Sequence, residues 1–421
     1  MPMKYFHGES IPFKILAGGI PVLLGIYMAI NPFPHKTAIE NISFYSSVLF
    51  ASILVAAGKR PLRFRNPLTL PFALFAVWSA VGLCFALDFT NSLHDLYAHL
   101  IQYLILLYLI VNFFRTERYL TILIGIVIFS GAVFALWAMT AFYIIQGFPL
   151  DTKLGLTSLD ELSSNIIGIL TLFPAVLALG WIMVEKNRYR RAAAFVCIAI
   201  LGMATLATMA RSALFAMAAA LAIMIPLLLR NRRIFLSIVI LLVLAVATMP
   251  VKERFTPTDF MDKVKATDRF SIALTYIEMV KDYPLTGIGF GMEAYGEKGL
   301  LEKYHARLPV EYRQQVPARA PHNSLIDVAV RTGLPGLGLF LYIIYSFVRM
   351  GIGLIKTGGS PYVREWGRCL LASFAALFIQ SLFENTLSGP PAVALFAVMA
   401  MMAALWHLEH ERAPGRETNL A

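Results

Sequence analysis

Pro321-His322-Asn323-Ser324, followed by Gly333 and Gly336, joins a long charged stretch to the start of an apolar run. A histidine at such a junction stands where a membrane surface meets water, and its charge changes near neutral pH. It is a candidate to take the proton of an attacking hydroxyl. Two arginines occupy comparable places: Arg211 in Thr208-Met209-Ala210-Arg211-Ser212, and Arg269 at the opening of a helical stretch. The guanidinium fork matches phosphate oxygens and keeps its charge, so the pair forms a natural clamp for a diphosphate. A helix start at Arg269 adds backbone N–H donors and a favourable dipole. Charge growing on a departing diphosphate would be stabilised there, often the largest catalytic term. Glu384, in Leu382-Phe383-Glu384-Asn385, ends a further apolar run. No Asp-x-Asp pair and no His/Cys cluster suggests a metal, and the arginines can supply positive charge without one; no cofactor is expected.

These residues must be positioned by membrane helices. The chain of 421 residues is 58% hydrophobic and 14% charged, against roughly 25% charged in soluble domains. Twelve apolar runs stand near 12–31, 38–57, 67–87, 95–113, 119–146, 163–184, 192–210, 211–229, 234–250, 323–348, 367–386 and 390–408. Each is long enough to cross the hydrocarbon core as a helix, which needs about 20 residues. The expected fold is an all-α polytopic membrane protein with about twelve transmembrane helices. Cys84, Cys197 and Cys369 show neither metal nor disulfide spacing and read as small core residues.

Charge sets the expected orientation. The connections 58–65, 114–118, 185–191, 230–233 and 349–368 are rich in Lys and Arg, whereas 31–41, 88–94, 147–162 and 386–391 carry only Lys36 and Lys153. The first set is cytoplasmic by the positive-inside rule, and an even number of spans puts both termini there too. The net charge of +11 follows from this asymmetry and from attraction to anionic membrane lipids, so nucleic acid is not an expected partner. The organisation reads as spans 1–9 over residues 1–250, an external loop over 251–322, spans 10–12 over 323–408, and a polar tail over 409–421. The loop mixes eleven Lys/Arg with ten Asp/Glu and is expected to be partly helical. Its first helix runs from about Asp268 to Asp282, with a second amphipathic piece between Met292 and Tyr304. Arg211, Arg269, His322 and Glu384 all fall on the external side.

The segment His322-Asn323, nine residues, Gly333-Leu334-Pro335-Gly336 resembles the signature of bacterial O-antigen ligases. Thr208-Met209-Ala210-Arg211-Ser212 resembles the short arginine motif of the wider ligase and polymerase superfamily, and the many-span layout with one large loop is similar across nearly the whole chain. The resemblance implies a class C glycosyltransferase-like architecture in the bacterial inner membrane with a site facing the periplasm. It implies transfer of O-polysaccharide from undecaprenyl diphosphate to lipid A–core oligosaccharide, without metal or nucleotide sugar. His322 would activate the acceptor hydroxyl, and Arg211 and Arg269 would bind the donor diphosphate. Asn323, Gly333, Gly336 and Glu384 would support them, the glycines by close packing of the tenth span. The alternatives are an O-antigen polymerase and, from another class, a solute transporter, which would place its charges nearer the bilayer midplane.

Other residues read as structural. His94, His99 and His305 suit structural or solvated roles. Gly287-Ile288-Gly289-Phe290-Gly291 lacks the preceding strand and the Lys-Ser/Thr ending of a phosphate loop, and reads as a turn or hinge.

Overall fold

The computed structural model describes residues 11–156, 162–230, 268–292, 295, 299–313 and 320–412. Every element of length among them is helical: α1 (Ile11–Ile30), α2 (Thr37–Ala56), α3 (Thr69–Gly82), α4 (Phe89–Leu96), α5 (Gln102–Phe113), α6 (Glu117–Met139), α7 (Ser164–Val184), α8 (Arg188–Ala207) and α9 (Arg211–Leu228). α10 (Asp268–Asp282) and α11 (Leu300–His305) follow, then α12 (Ser324–Thr357), α13 (Pro361–Ser381) and α14 (Gly389–Arg412). One π-turn, Tyr97–Ile101, fuses α4 to α5. Short polar residues start many of these rods by accepting backbone N–H groups that no helical turn can satisfy: Asp88, Thr116, Ser163, Asn187, Asn323 and Ser360.

Nine helices among the described residues are long and apolar enough to cross a membrane, fewer than the twelve runs expected. The run at 234–250 lies outside the described residues. The helix over Thr69–Phe85 is shorter than the others. α13 carries Arg364, Glu365 and Arg368 near its start, which dilutes its apolar character although its length of 21 residues would suffice. α14 continues to Arg412, past the expected start of the polar tail, and 413–421 lie outside the described residues. Cys84 is exposed rather than a core residue, and only Cys369 is fully buried.

The connections gather at two ends, grouped as the charge pattern predicts. At one end Asn31 donates to the Pro390 carbonyl at 3.2 Å, and Leu154 N–H donates to the Ala207 carbonyl at 2.9 Å. At the other, Arg63 N–H reaches Asn112, Arg230 pairs with Glu365 at 2.8 Å, and Tyr362 donates to the Glu117 carbonyl at 3.0 Å. α7 and α14 are the interior rods, 83% and 89% buried over their apolar windows, against 22% for α8. A helix enclosed on all sides has to be apolar all round, and the α7 sequence is.

The expected tenth span is two helices. Gly333 interrupts α12 with φ 71° and ψ −179°, a conformation open essentially to glycine alone. The break frees backbone groups, and neighbours take them up: the Trp78 indole donates to the Thr332 carbonyl, and Leu334 N–H to the Pro284 carbonyl, both at 2.8 Å. Residues 324–332 thus form a separate nine-residue helix, and 334–357 form the span. Both Asp327 and Arg331 are buried in that first piece, 3.1 Å apart. Tyr295 donates to Asp327 at 2.9 Å, and Arg331 donates from Nε to the Phe290 carbonyl at 2.8 Å while lying over the Phe290 ring. A buried ion pair needs such additional bonds to offset its desolvation.

Gly287–Gly291 is a packed turn rather than a flexible one; all five residues are buried. Ile288 N–H donates to the Val330 carbonyl, Leu87 N–H to the Ile288 carbonyl, and Gly291 N–H to the Ser92 hydroxyl. This strap binds the helices of the 268–313 segment to the bundle. Ile272, Tyr276 and Met279 of α10, with Leu301 and Tyr304 of α11, close a small core on Val330 and Ile288. His305 is part of this packing, buried with its Nδ1 3.1 Å from the Thr275 hydroxyl, whereas His94 is exposed.

A surface clasp joins α10 to α11. Arg307 holds Asp282 through two bonds of 2.8 and 2.7 Å, and Tyr304 donates to the same carboxylate at 3.0 Å. The Arg307 hydrogen bonds, opposed only by partial desolvation, pull the Asp282 pKa down to about 2. A carboxyl whose folded pKa is depressed contributes stability above its unfolded value, near 3.9, and loses it as pH falls through the folded one. Acidification from about pH 4 to about pH 2 should therefore loosen α10 from α11. Arg307→Ala should abolish this acid-sensitive step, which hydrogen exchange of α10 amides across the window will read; an identical acid response in the variant would refute the clasp.

Candidate active site

His322 is the residue just before the helix cap, and its backbone is left-handed, φ +47°. An L-residue pays a steric penalty there unless its surroundings hold it. Asn323 supplies that hold. Its side-chain oxygen accepts from Leu325 and Ile326 N–H at 2.9 and 3.1 Å, and its amide donates to the Leu382 carbonyl at 3.0 Å. Ser324 adds to the join: its hydroxyl donates to the Glu384 carbonyl at 3.3 Å and accepts from Thr386 N–H at 3.0 Å. The start of α12 is thereby stapled to the connection after α13, and that staple aims the histidine.

The ring meets a carboxylate. His322 Nδ1 lies 2.8 Å from Glu384 Oε1. The Glu384 side chain is 12% exposed and that of His322 36%, so the imidazole is open to a reactant while its partner is shielded. Burial alone would raise the Glu384 pKa. The hydrogen bond and charge of His322, the Asn165 amide and the Asn385 N–H outweigh it and hold the carboxyl below the usual carboxylate range. An ionised carboxylate only accepts, so Nδ1 is the donor in this contact, an arrangement that leaves Nε2 as the ring nitrogen facing away from Glu384. Asn165, in the first turn of α7, donates to the other oxygen, Oε2, at 3.0 Å.

Arg211 is the first residue of α9 and is exposed. The turn before it is tight: Met209 has φ +49°, and the Thr208 hydroxyl donates to the Thr205 carbonyl at 2.6 Å. This turn packs on α7 where Gly168 leaves room; a Cβ on Gly168 would stand 3.4 Å from Thr208 Oγ1. α9 also packs along α13, the helix that leads to Glu384. Arg211 and His322 are therefore brought to the end of the bundle where α7 starts. Arg269 is the second residue of α10 and exposed, and among the described residues no hydrogen bond or ion pair joins it to His322 or Glu384.

Gly333 and Gly336 are not at the site. They lie ten or more residues along α12, about 15 Å at the helical rise. Gly333 makes the break, and Gly336 packs near Trp78. Gly333 also lies against the Leu285 carbonyl, so it both breaks the helix and admits a close backbone approach. Among the described residues no three His, Cys, Asp or Glu gather to hold a cation. A cavity of about 30 Å³ beside Arg331, lined by His99, Phe72, Phe75, Phe290 and Phe396, is apolar and touches none of the expected site residues.

Sequence reasoning did not single out Asn165, Asp327 or Arg331. The last two carried a legible signal, opposite charges four residues apart at the start of an apolar run. Asn165 carried none.

The comparisons bear on this geometry. Residues 196–341, about a third of the chain, match the family model described as O-antigen ligase. The matched segment contains Arg211, Arg269 and His322 and ends before Glu384. That family covers both ligases and polymerases. A comparison with curated proteins gives no match.

Proposed function

We propose that this chain, whose residues 196–341 match the O-antigen ligase family model, is a member of that superfamily and transfers O-polysaccharide from undecaprenyl diphosphate to a hydroxyl of lipid A–core oligosaccharide. The observation that carries the reading is the His322–Glu384 pair, at 2.8 Å, at the same end of the bundle as Arg211. In this reading that end faces the periplasm, and the arginine-rich end and both termini face the cytoplasm.

The chemistry is a single displacement. The acceptor O–H gives its proton to Nε2 of His322 as its oxygen attacks the anomeric carbon. The bond from that carbon to the diphosphate oxygen breaks, with inversion, and undecaprenyl diphosphate leaves. Arg211 and Arg269 bind the diphosphate and take up the charge it gains, which lets the reaction run without a metal. Glu384 holds the ring in the Nδ1–H tautomer and stabilises the imidazolium as it forms, the role an orienting carboxylate plays in other base-activated sites.

Purified protein given lipid-linked O-antigen and lipid A–core should form a covalent conjugate of the two, unaffected by EDTA. Arg211→Ala should abolish the product. Elongated lipid-linked glycan without any conjugate would make the protein a polymerase, and loss of product on adding EDTA would end the metal-free mechanism.

A further inference from the structure

Glu384 has two carboxylate oxygens, and only one meets His322. The second is held by Asn165, whose Nδ2 donates to Oε2 at 3.0 Å from the first turn of α7. That turn is rigid for reasons of its own. Ser163 caps it, with the Ser163 hydroxyl accepting Ile166 N–H at 3.3 Å, and α7 is an interior rod of the bundle. One turn further on, Gly168 abuts Thr208 in the turn that carries Arg211. Glu384 itself sits on a seven-residue connection between α13 and α14, a segment with no helical ladder of its own. His322 and the Asn385 N–H, the latter at 3.3 Å, both hold Oε1, so without a tether on Oε2 the carboxylate could still turn about its terminal torsion, which is broad for glutamate.

We propose that Asn165 is a positioning residue for the transfer reaction: it fixes the Glu384 carboxylate so that Oε1 faces His322, and ties that pair to the helix turn against which the Arg211 turn packs. The inference rests on the proposed role of His322 as base. Asn165 touches neither substrate nor the reacting atoms in this scheme. It acts by orientation and by donating to the charged form of Glu384, the carboxylate to which the His322 ring is bonded. Asparagine suits the task because it donates without bringing a charge. Aspartate at the same position would keep the shape, remove the donor and set a second anion against Glu384.

The test compares Asn165→Ala and Asn165→Asp with wild type in detergent, after checking that each variant remains monodisperse. A hydrogen bond to a charged group corresponds to roughly ten- to a hundred-fold in rate. N165A should lower kcat for conjugate formation by about ten-fold with KM for the donor unchanged. N165D should lower it further, about a hundred-fold, and move the acid limb of the pH–rate profile to higher pH, because added negative charge favours protonated His322. The midpoint of the His322 ¹⁵N titration should move upward in N165D as well. Wild-type kcat and an unmoved pH profile in both variants would overturn the inference, as would an N165D no worse than N165A. Failure of the parent reading looks different. Wild-type transfer by a His322 variant would remove the base itself, and a wild-type protein inert towards both substrates would refute the reaction while the histidine titration still judged the Asn165 link.

Discussion

His322→Asn is expected to lower transfer by about 10²–10⁴-fold, the usual contribution of a positioned general base, with the protein still folded. Asparagine is the informative replacement. It tolerates the left-handed backbone that His322 adopts at φ +47°, which alanine does not, so a loss of rate cannot be assigned to strain. It can bond to Glu384 yet cannot take a proton at neutral pH. Glu384→Gln keeps the shape of the partner and removes its charge, and should cost at least about 10²-fold, since the imidazolium then forms without its counter-charge. The two effects should not add, because in the proposed mechanism both residues serve one proton transfer; the double variant should be hardly slower than H322N. The pair also has a pH sign. The Glu384 pKa is held below the usual range, so the ion-paired form contributes stability above the unfolded value, near 4.3, and loses it as pH falls further. Initial rates of conjugate formation with the two single variants and the double variant decide the matter. Near-normal turnover in H322N would leave the site without its base.

Gly333→Ala is the second large effect, and it should act on folding rather than on chemistry. At φ 71° and ψ −179° an L-residue costs about 1–3 kcal/mol. The new Cβ would also overlap the Leu285 carbonyl, a backbone atom just before the packed strap that cannot swing aside as a side chain could. Overpacking adds about 1–3 kcal/mol, so the total of about 2–6 kcal/mol is a large share of the stability of a typical protein. Gly338 supplies the control on the same helix. No atom stands within 4 Å of a Cβ there, and Gly338→Ala should be neutral or stabilising by up to about 1 kcal/mol. Yield of monodisperse protein and the thermal midpoint in detergent will separate the two, and equal behaviour would mean that the break is not a fixed feature of the fold.

Much of this architecture was legible in the chain because its signals are local. Apolar length marks helices, Lys and Arg sort the connections, and a Ser, Thr, Asp or Asn stands at many helix starts. The external helix over 268–282 was readable from its period. The histidine motif was readable too, since Asn323 is a helix cap by type and place. The division of 323–348 at Gly333 was not, because the apolar pattern runs unbroken through Leu334-Pro335-Gly336-Leu337 and nothing in it records that Pro284 and Trp78 wait to take the freed backbone groups. Glu384 was visible as a carboxylate at the proper end of a run, but its contact depends on how α12 and α13 meet, 62 residues apart in sequence. Asn165 lies 219 residues from Glu384, and an asparagine at a helix start has an ordinary explanation that hides any other.

The nine-residue piece of α12 is gripped at both ends, by Leu382, Glu384 and Thr386 at its start and by Trp78 and Pro284 at its close. Between those grips Asp327 and Arg331 brace it from within. It is a strut of about 13 Å with His322 at one tip and the root of the external helices at the other. α10 packs on this strut through Ile326 and Val330, so a load that tilts α10 bears on it: the strut tilts too, or the grip at the Gly333 end gives way. In the first case the histidine moves against its carboxylate. The pose of the 268–282 helix and the aim of the histidine are, mechanically, readings of a single lever.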